Sequence, residues 1–323
     1  MSVTVATFLP LLWRIAPRLV AIEAMAPQLA VAGLVLIGSN LLFRSWGVLL
    51  LGIAAFGWNA VLVWPDMAWL QHRSAVSTED GATLKVLSLN LWYANDDLDS
   101  TRRYLASSGA DVIGLSEVTP RLKLGLASLA AIYPYETDCV GAEDPSCEIM
   151  LLSKHPLRNA HAGRIDGRFP YIAEAEMDWN HHPIGVAVTH LGWPFLEPEN
   201  PVFAATGLPS AAIPQFPDVP RLSQSLQAAN LAAYAAHLPA DLVLMGDFNG
   251  ASWTAAQKAF RIATGLENRG HLLLTWPSWA WPVFRLPIDH IFVHGRAQVV
   301  KIESGPDVGS DHLPVVAEIA ILP

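Results

Sequence analysis

The sequence predicts an α/β sandwich of two mixed β-sheets carried behind N-terminal transmembrane helices. Two observations carry that expectation. Residues 1–73 hold four Lys/Arg and two Asp/Glu among long uncharged runs, whereas from Leu84 onward short Val/Ile/Leu-rich runs are interleaved with helical segments. In a chain of 323 residues, mixed strands with helices outside them fit two packed sheets around shared cores. Apolar residues make up 52% and charged residues 15%, and the apolar excess sits in the first segment.

Residues 1–64 read as a membrane anchor of two or three helices. The stretch 24–43 has no charge, and neither does "WGVLLLGIAAFGWNAVLVW" (46–64); each is long enough to cross a bilayer, and Arg44 lies in the tight connection of a helical hairpin. The opening run 3–22 has the same length but carries Arg14 and Arg18 one turn apart. It is either a third span with snorkelling arginines or an amphipathic helix in the interface. A cleaved signal peptide fits poorly, because no basic region precedes the apolar run. Buried helices of a soluble protein are the alternative that these lengths argue against.

Three spans would put everything after Trp64 outside the cell, and two spans with a cytoplasmic N-terminus would keep it inside. The two cysteines, Cys139 and Cys147, flank "VGAEDPS" and are either a disulfide staple or two free thiols. A staple suits an oxidising compartment, so the expectation is an extracytoplasmic domain in a multi-pass cell-membrane protein.

Residues 65–83 are expected to be a polar linker, and 84–323 a separate α/β domain. "LKVLSLN" (84–90) is a strand, 97–108 a helix, "DVIGLSEV" (111–118) a strand, and 119–131 a helix opened by Thr119-Pro120. "CEIMLLS" (147–153), "YIAEAEMDW" (171–179) and "HPIGVAVTHL" (182–191) are close enough for an antiparallel meander. A helix at 221–237 precedes "ADLVLMGDF", a second runs over 252–264, and "PIDHIFVH", "AQVVKIE" and "LPVVAEIAI" complete the sheets. Residues 192–220 form a connection far longer than usual, and such loops are commonly functional. Trp276, Trp279 and Trp281 lie close together in 275–287, as core packing or as a rim facing substrate or membrane.

The apolar runs share one feature. They carry Asn90, Glu117, His190, Asp247 with Asn249, Asp289, and Asp311-His312 at their ends. Turns account for any one of these, but not for acids recurring at run after run, since gathered carboxylates repel. A divalent cation offsets that repulsion. The donors are oxygens with no Cys partner, which favours Mg²⁺ or Mn²⁺ and metal-assisted phosphoester hydrolysis.

The ordered set "SLNLW", "LSEV", "THLGWP", "GDFN", "PIDHIF" and "GSDHLP" resembles the endonuclease/exonuclease/phosphatase superfamily, which includes deoxyribonuclease I, exonuclease III and neutral sphingomyelinases. The resemblance covers about residues 84–323 and is greatest to bacterial membrane-anchored members. It implies a four-layer α/β sandwich with the site at one edge of the two sheets. It implies Glu117 as main metal ligand with Asn90 and Asp311, and Asp247 orienting or deprotonating the attacking water. Asn249 would bond the phosphate, His312 held by Asp289 would act on the phosphoryl centre, and His190 would contact the phosphate or leaving group. A carboxylate against His312 suits acid–base work, and the lack of a nucleophile elbow favours direct attack by water. The other histidines, His290 among them, read as surface or packing residues.

Sixteen Lys/Arg face twenty-seven Asp/Glu after residue 73, with no basic run. That argues against gripping long duplex DNA, whose affinity comes from neutralised phosphates. The expected substrate is a small or lipid phosphodiester, met by the metal and by donors such as Arg221, Gln224 and Arg285. A nuclease acting on DNA or RNA is the alternative, and a membrane-tethered binding module with an inactive site is a third. The bilayer is the expected partner; no protein partner is evident.

Overall fold

The computed structural model describes residues 23–68, 83–142, 144–194, 224–270 and 272–322. Helices α1 (Ala26–Phe43) and α2 (Trp46–Ala68) form the expected hairpin, turned by Arg44 in the left-handed conformation. Among the described residues, Trp46–Asp66 is the one helical stretch long and apolar enough to cross a membrane; the apolar part of α1, Ala26–Asn40, is shorter. The run 3–22 lies outside the described residues. Helix α2 continues through Pro65 to Ala68, past the expected boundary at 64.

The base of the hairpin is packed onto the following domain. Ala24, Ala26, Leu62 and Val63 share an apolar cluster with Ala251 and Trp253. The Trp253 indole donates to the Glu23 carbonyl (2.6 Å), Arg261 pairs with the buried Asp66 (3.1 Å), and the Gln28 amide donates to the Arg285 carbonyl (3.0 Å).

The rest is two six-stranded mixed sheets. The first runs β11 (Ala297–Ser304), β12 (Val315–Ile321), β1 (Leu84–Asn90), β2 (Val112–Ser116), β4 (Met150–Ser153), β3 (Tyr135–Asp138). The second runs β5 (Arg158–Ile165), β6 (Arg168–Trp179), β7 (His182–His190), β8 (Leu242–Asp247), β10 (Asp289–His294), β9 (Glu267–Asn268).

Period-two alternation builds the layers. Leu84 and Val86 meet Val243 and Met245 between the sheets. Leu87 and Leu89 face outward, onto Leu105 of α3 (Leu98–Ser107) and Leu122 of α4 (Pro120–Gly125). Leu242 and Leu244 face the other way, onto Leu231 of α5 (Gln224–Ala235) and Phe260 of α6 (Ala255–Thr264). Central strands buried on both faces must read as continuous apolar runs, and these do. Four layers result, as the family resemblance implies.

Two expectations change. The strand from 147–153 does not open the meander; its β4 portion pairs with β2 in the first sheet, and the meander is β5–β6–β7. The helix at 119–131 breaks after Gly125, where the Leu126 N–H is shared between the Leu122 and Lys123 carbonyls and the chain tightens into a 3₁₀ turn over Ala127–Ala131. Cys139 and Cys147 form a disulfide, with Cα atoms 5.6 Å apart.

Candidate active site

Strand register assembles the site. In the first sheet β1 and β2 run parallel with Asn90 opposite Ser116, so Glu117 emerges beside Asn90. In the second, β7 and β8 run parallel with His190 opposite Asp247, and β10 lies antiparallel with Asp289 opposite Asp247. Three polar ends therefore stand level across three neighbouring strands. The two sheets meet at this edge, where the Asn90 amide donates to Glu117 Oε1 (2.9 Å) and to Asp247 Oδ2 (3.0 Å).

Glu117 and Asn249 both have positive φ, 55° and 46°. Such non-glycine positions carry strain and cluster at functional sites; here they turn the chain where each strand stops. Gly246, φ 144°, answers a harder constraint. A Cβ built there would collide with the Thr189 carbonyl oxygen of the neighbouring strand, so this position before Asp247 admits no side chain.

His312 arrives on the loop before β12. Its Nδ1 donates to Asp289 Oδ2 (2.8 Å), and its Nε2 faces Asp247 Oδ2 (3.6 Å) and Asp311 Oδ1 (3.9 Å). Ser310 ties the loop down: its hydroxyl donates to the Asn90 carbonyl and accepts from the His312 N–H. Burial pulls the His312 imidazolium down, yet Asp289 and Asp247 outweigh it and carry the pKa up to about 10. Burial, with Asp289 alongside, raises Asp247 to about 6, although His312 and His190 pull it back in part.

A second pair joins one expected residue, His190, to one outside the expected set, Glu148. Glu148 accepts from His190 Nδ1 (2.5 Å). Burial works against the charged ring, but Glu148, with Asp247 and Glu117 behind it, raises His190 to about 10. The signal was present, since Glu148 opens the apolar run 149–152 much as Asp289 opens its own. Glu148→Gln is expected to keep the hydrogen bond but lower the His190 pKa. Turnover should then fall several-fold more at pH 9 than at pH 7, checked by pH–rate profiles of both forms.

The unmet acceptors here fit a divalent cation. Asp311 Oδ1 and Asp289 Oδ1 are buried without a hydrogen-bond partner. Burial raises the Asp311 carboxyl; His312 and the Trp276 indole restrain it, and Glu117 adds to the rise. Asp311 thus presents a hard oxygen with no partner, whereas the Glu117 oxygens accept from the Asn90 amide and the Tyr93 N–H, and Asn90 Oδ1 accepts from the Trp92 N–H. Asp247, Asp289 and His312 are the tighter cluster, with ligand atoms within 4.8 Å of one another. Asp289 and His312 are already paired with each other there.

Two expected substrate donors, Gln224 and Arg285, are engaged away from the reacting edge. The Gln224 amide is buried and donates to the carbonyls of Gly192, Phe248 and Asn249, so it shapes the loop that presents Asn249. Arg285 donates to the carbonyls of Ser278 and Ala280, its guanidinium bracing the tryptophan loop. Arg221 lies outside the described residues. Asn249 is in place, its amide 3.1 Å from His190 Nε2. Trp276 is a residue of the site itself, donating to Asp311 Oδ2 (3.1 Å) and set against Trp193. His290 is buried against Phe248 and Phe292, as a packing residue.

A family model described as "Endonuclease/Exonuclease/phosphatase family" matches residues 87–312. No curated protein matches the chain. Among similar solved structures, an endonuclease/exonuclease/phosphatase from Bacteroides vulgatus has a TM-score of 0.57 at 13% identity, covering 74% of this chain and 99% of its own. D. rerio TDP2 complexed with single strand DNA product gives 0.55 at 16% identity, over 74% and 99%. A family protein from Leptotrichia buccalis gives 0.52 at 15% identity, over 73% and 99%. At these identities the likeness is one of fold.

Proposed function

The chain belongs to the endonuclease/exonuclease/phosphatase family of metal-dependent phosphoesterases, and on that premise we propose a membrane-anchored phosphodiesterase that hydrolyses a small or lipid phosphodiester by direct attack of water. The observation that carries the reading is the pairing of opposite tasks at one edge. Asp247, with a pKa near 6, is an anion at neutral pH, while His312, near 10, is a cation. Asp247 accepts the proton of the attacking water, and His312, oriented by Asp289, donates to the phosphoryl or leaving oxygen. Asn249 hydrogen-bonds the phosphate, and His190, backed by Glu148, adds positive charge beside it. Glu117, Asn90 and Asp311 would hold a divalent ion, Mg²⁺ or Mn²⁺, which would supply charge neutralisation at the phosphoryl oxygens. Both cysteines are in the disulfide and the Ser310 hydroxyl is engaged, which supports water rather than a side chain as nucleophile.

The acidic balance of the domain and the hairpin packed on it favour a small or lipid substrate over extended nucleic acid. The disulfide supports an extracytoplasmic domain. External protease should then digest the domain in spheroplasts; full protection would refute that topology. Function is tested with the full chain in detergent, supplied with Mg²⁺ or Mn²⁺. Bis-p-nitrophenyl phosphate and a phosphodiester lipid in mixed micelles should turn over faster than plasmid or single-stranded DNA. Faster cleavage of DNA would make the protein a nuclease, and no turnover of any phosphodiester would leave a binding module.

A further inference from the structure

The loop between His271 and Arg285 contains no charged residue and three tryptophans. Its two ends are fixed and its middle is bare. At one end Trp276 and Ser278 belong to the site: the Trp276 indole donates to the Asp311 carboxylate, and the Ser278 N–H donates to the Asp311 carbonyl. At the other end the Arg285 carbonyl accepts from Gln28 of α1, and Leu286 packs on the apolar cluster at the hairpin base. Between them the chain projects a crest whose side chains are left in solvent: Trp279 is 77% exposed, Trp281 78%, Val283 51% and Phe284 66%.

The crest backbone is largely self-satisfied. The Ala280 N–H donates to the Pro277 carbonyl, Phe284 to Trp281, and Arg285 to Pro282, while the Arg285 side chain holds the carbonyls of Ser278 and Ala280. A segment that has met its own polar groups and displays indoles and a phenyl ring is suited to the headgroup region of a bilayer, where tryptophan is favoured. Four large apolar side chains this bare, side by side, are costly to leave in water and mark an interaction surface.

Continuity with the hairpin identifies the occupant. We infer that the crest Trp279–Phe284 rests in the surface of the same bilayer that holds α1 and α2. The hairpin base and the crest then bracket the site, which takes its phosphodiester from that surface. The inference rests on the hairpin being the membrane anchor, and it specifies the substrate side of the proposed activity.

The test uses the full chain in phosphatidylcholine–phosphatidylglycerol nanodiscs. A nitroxide is attached in turn to Trp281→Cys and Phe284→Cys, to Leu34→Cys on α1, and to Leu124→Cys on α4, and accessibility to oxygen is compared with that to a water-soluble nickel chelate. Both native cysteines are in the disulfide and do not take the label. The expected result is oxygen-rich, nickel-protected labels on the crest and at Leu34→Cys, with the Leu124→Cys label fully aqueous. A crest as aqueous as Leu124→Cys, with Leu34→Cys still in lipid, overturns the inference and leaves the anchor standing; an aqueous label at all positions overturns both. The readout needs no turnover, so failure of the catalytic reading is seen separately. Where turnover is measured, the double variant Trp279→Ser/Trp281→Ser should lose about tenfold on a phosphodiester lipid in the same bilayer and stay within about twofold on bis-p-nitrophenyl phosphate. Equal loss on both substrates, or none on the lipid, would refute the inferred route of substrate entry.

Discussion

His312→Ala is expected to lower kcat by about a thousandfold or more, the range for losing a positioned acid–base group. The imidazole is the meeting point of three carboxylates, hydrogen-bonded to Asp289 and facing Asp247 and Asp311. Removing it deletes a proton donor and leaves Asp247 and Asp289 with less positive charge between them. Circular dichroism on the variant separates lost chemistry from lost fold. The gentler Asp289→Asn gives a second check, because it keeps the ring but withdraws the charge that holds it protonated. The sign follows from the two pKa values. Activity needs Asp247 ionised, so it rises with pH through about 6; it needs His312 protonated, so it falls as pH climbs through about 10. Asp289→Asn should pull that alkaline limb to lower pH and, because the Asp289 charge also raises Asp247, move the acid limb down with it. Wild-type turnover by His312→Ala would remove this residue from the mechanism.

Glu117→Gln carries the second large effect, through metal affinity. Chelation should abolish turnover and added Mg²⁺ should restore it; the variant should need about tenfold to a hundredfold more Mg²⁺ and turn over far more slowly at saturation. Glutamine keeps the length of the side chain but has one acceptor oxygen, so it can accept from the Asn90 amide or from the Tyr93 N–H and not from both, as the two oxygens of Glu117 do. It lacks the charge and the second acceptor. Titration of Mn²⁺ followed by water-proton relaxation reads that loss without substrate, and an unchanged Mn²⁺ affinity would exclude Glu117 as the principal ligand.

Much of this site was written in the sequence because sheets convert order into place. Asn90, Glu117, His190 and Asp247 close apolar runs, and parallel pairing brings such closing residues to one edge. Antiparallel β10 reaches that edge with its first residue, so Asp289 had to open its run. Glu148 follows the apolar Cys147 in "CEIMLLS", so the pattern presents its carboxylate as an interior strand position and not as the polar end of a run. Strands β3 and β5 were missed for a different reason. They pair at the outer ends of their sheets, and their faces stay largely open, so no alternating pattern was required of "YETD" or "RNAHAGRI". Gln224 and Arg285 looked like substrate donors by charge and polarity alone. Which carbonyls a turn leaves unmet is decided by the folded backbone, and those carbonyls claimed both side chains. The seating of Glu23 and Asp66 on the domain was likewise invisible, since a linker and a bolt can have the same composition.

The bare backbone at Gly246 separates two kinds of permanence within "GDFN". The contact with the Thr189 carbonyl is demanded by the spacing of the strands, whether or not any bond is ever cleaved. A descendant that abandoned hydrolysis would be free to drift at Asp247 and Asn249 but would still be obliged to keep the residue before them. Among remote cousins, then, that glycine is a badge of architecture, and only the acid and amide after it testify to trade.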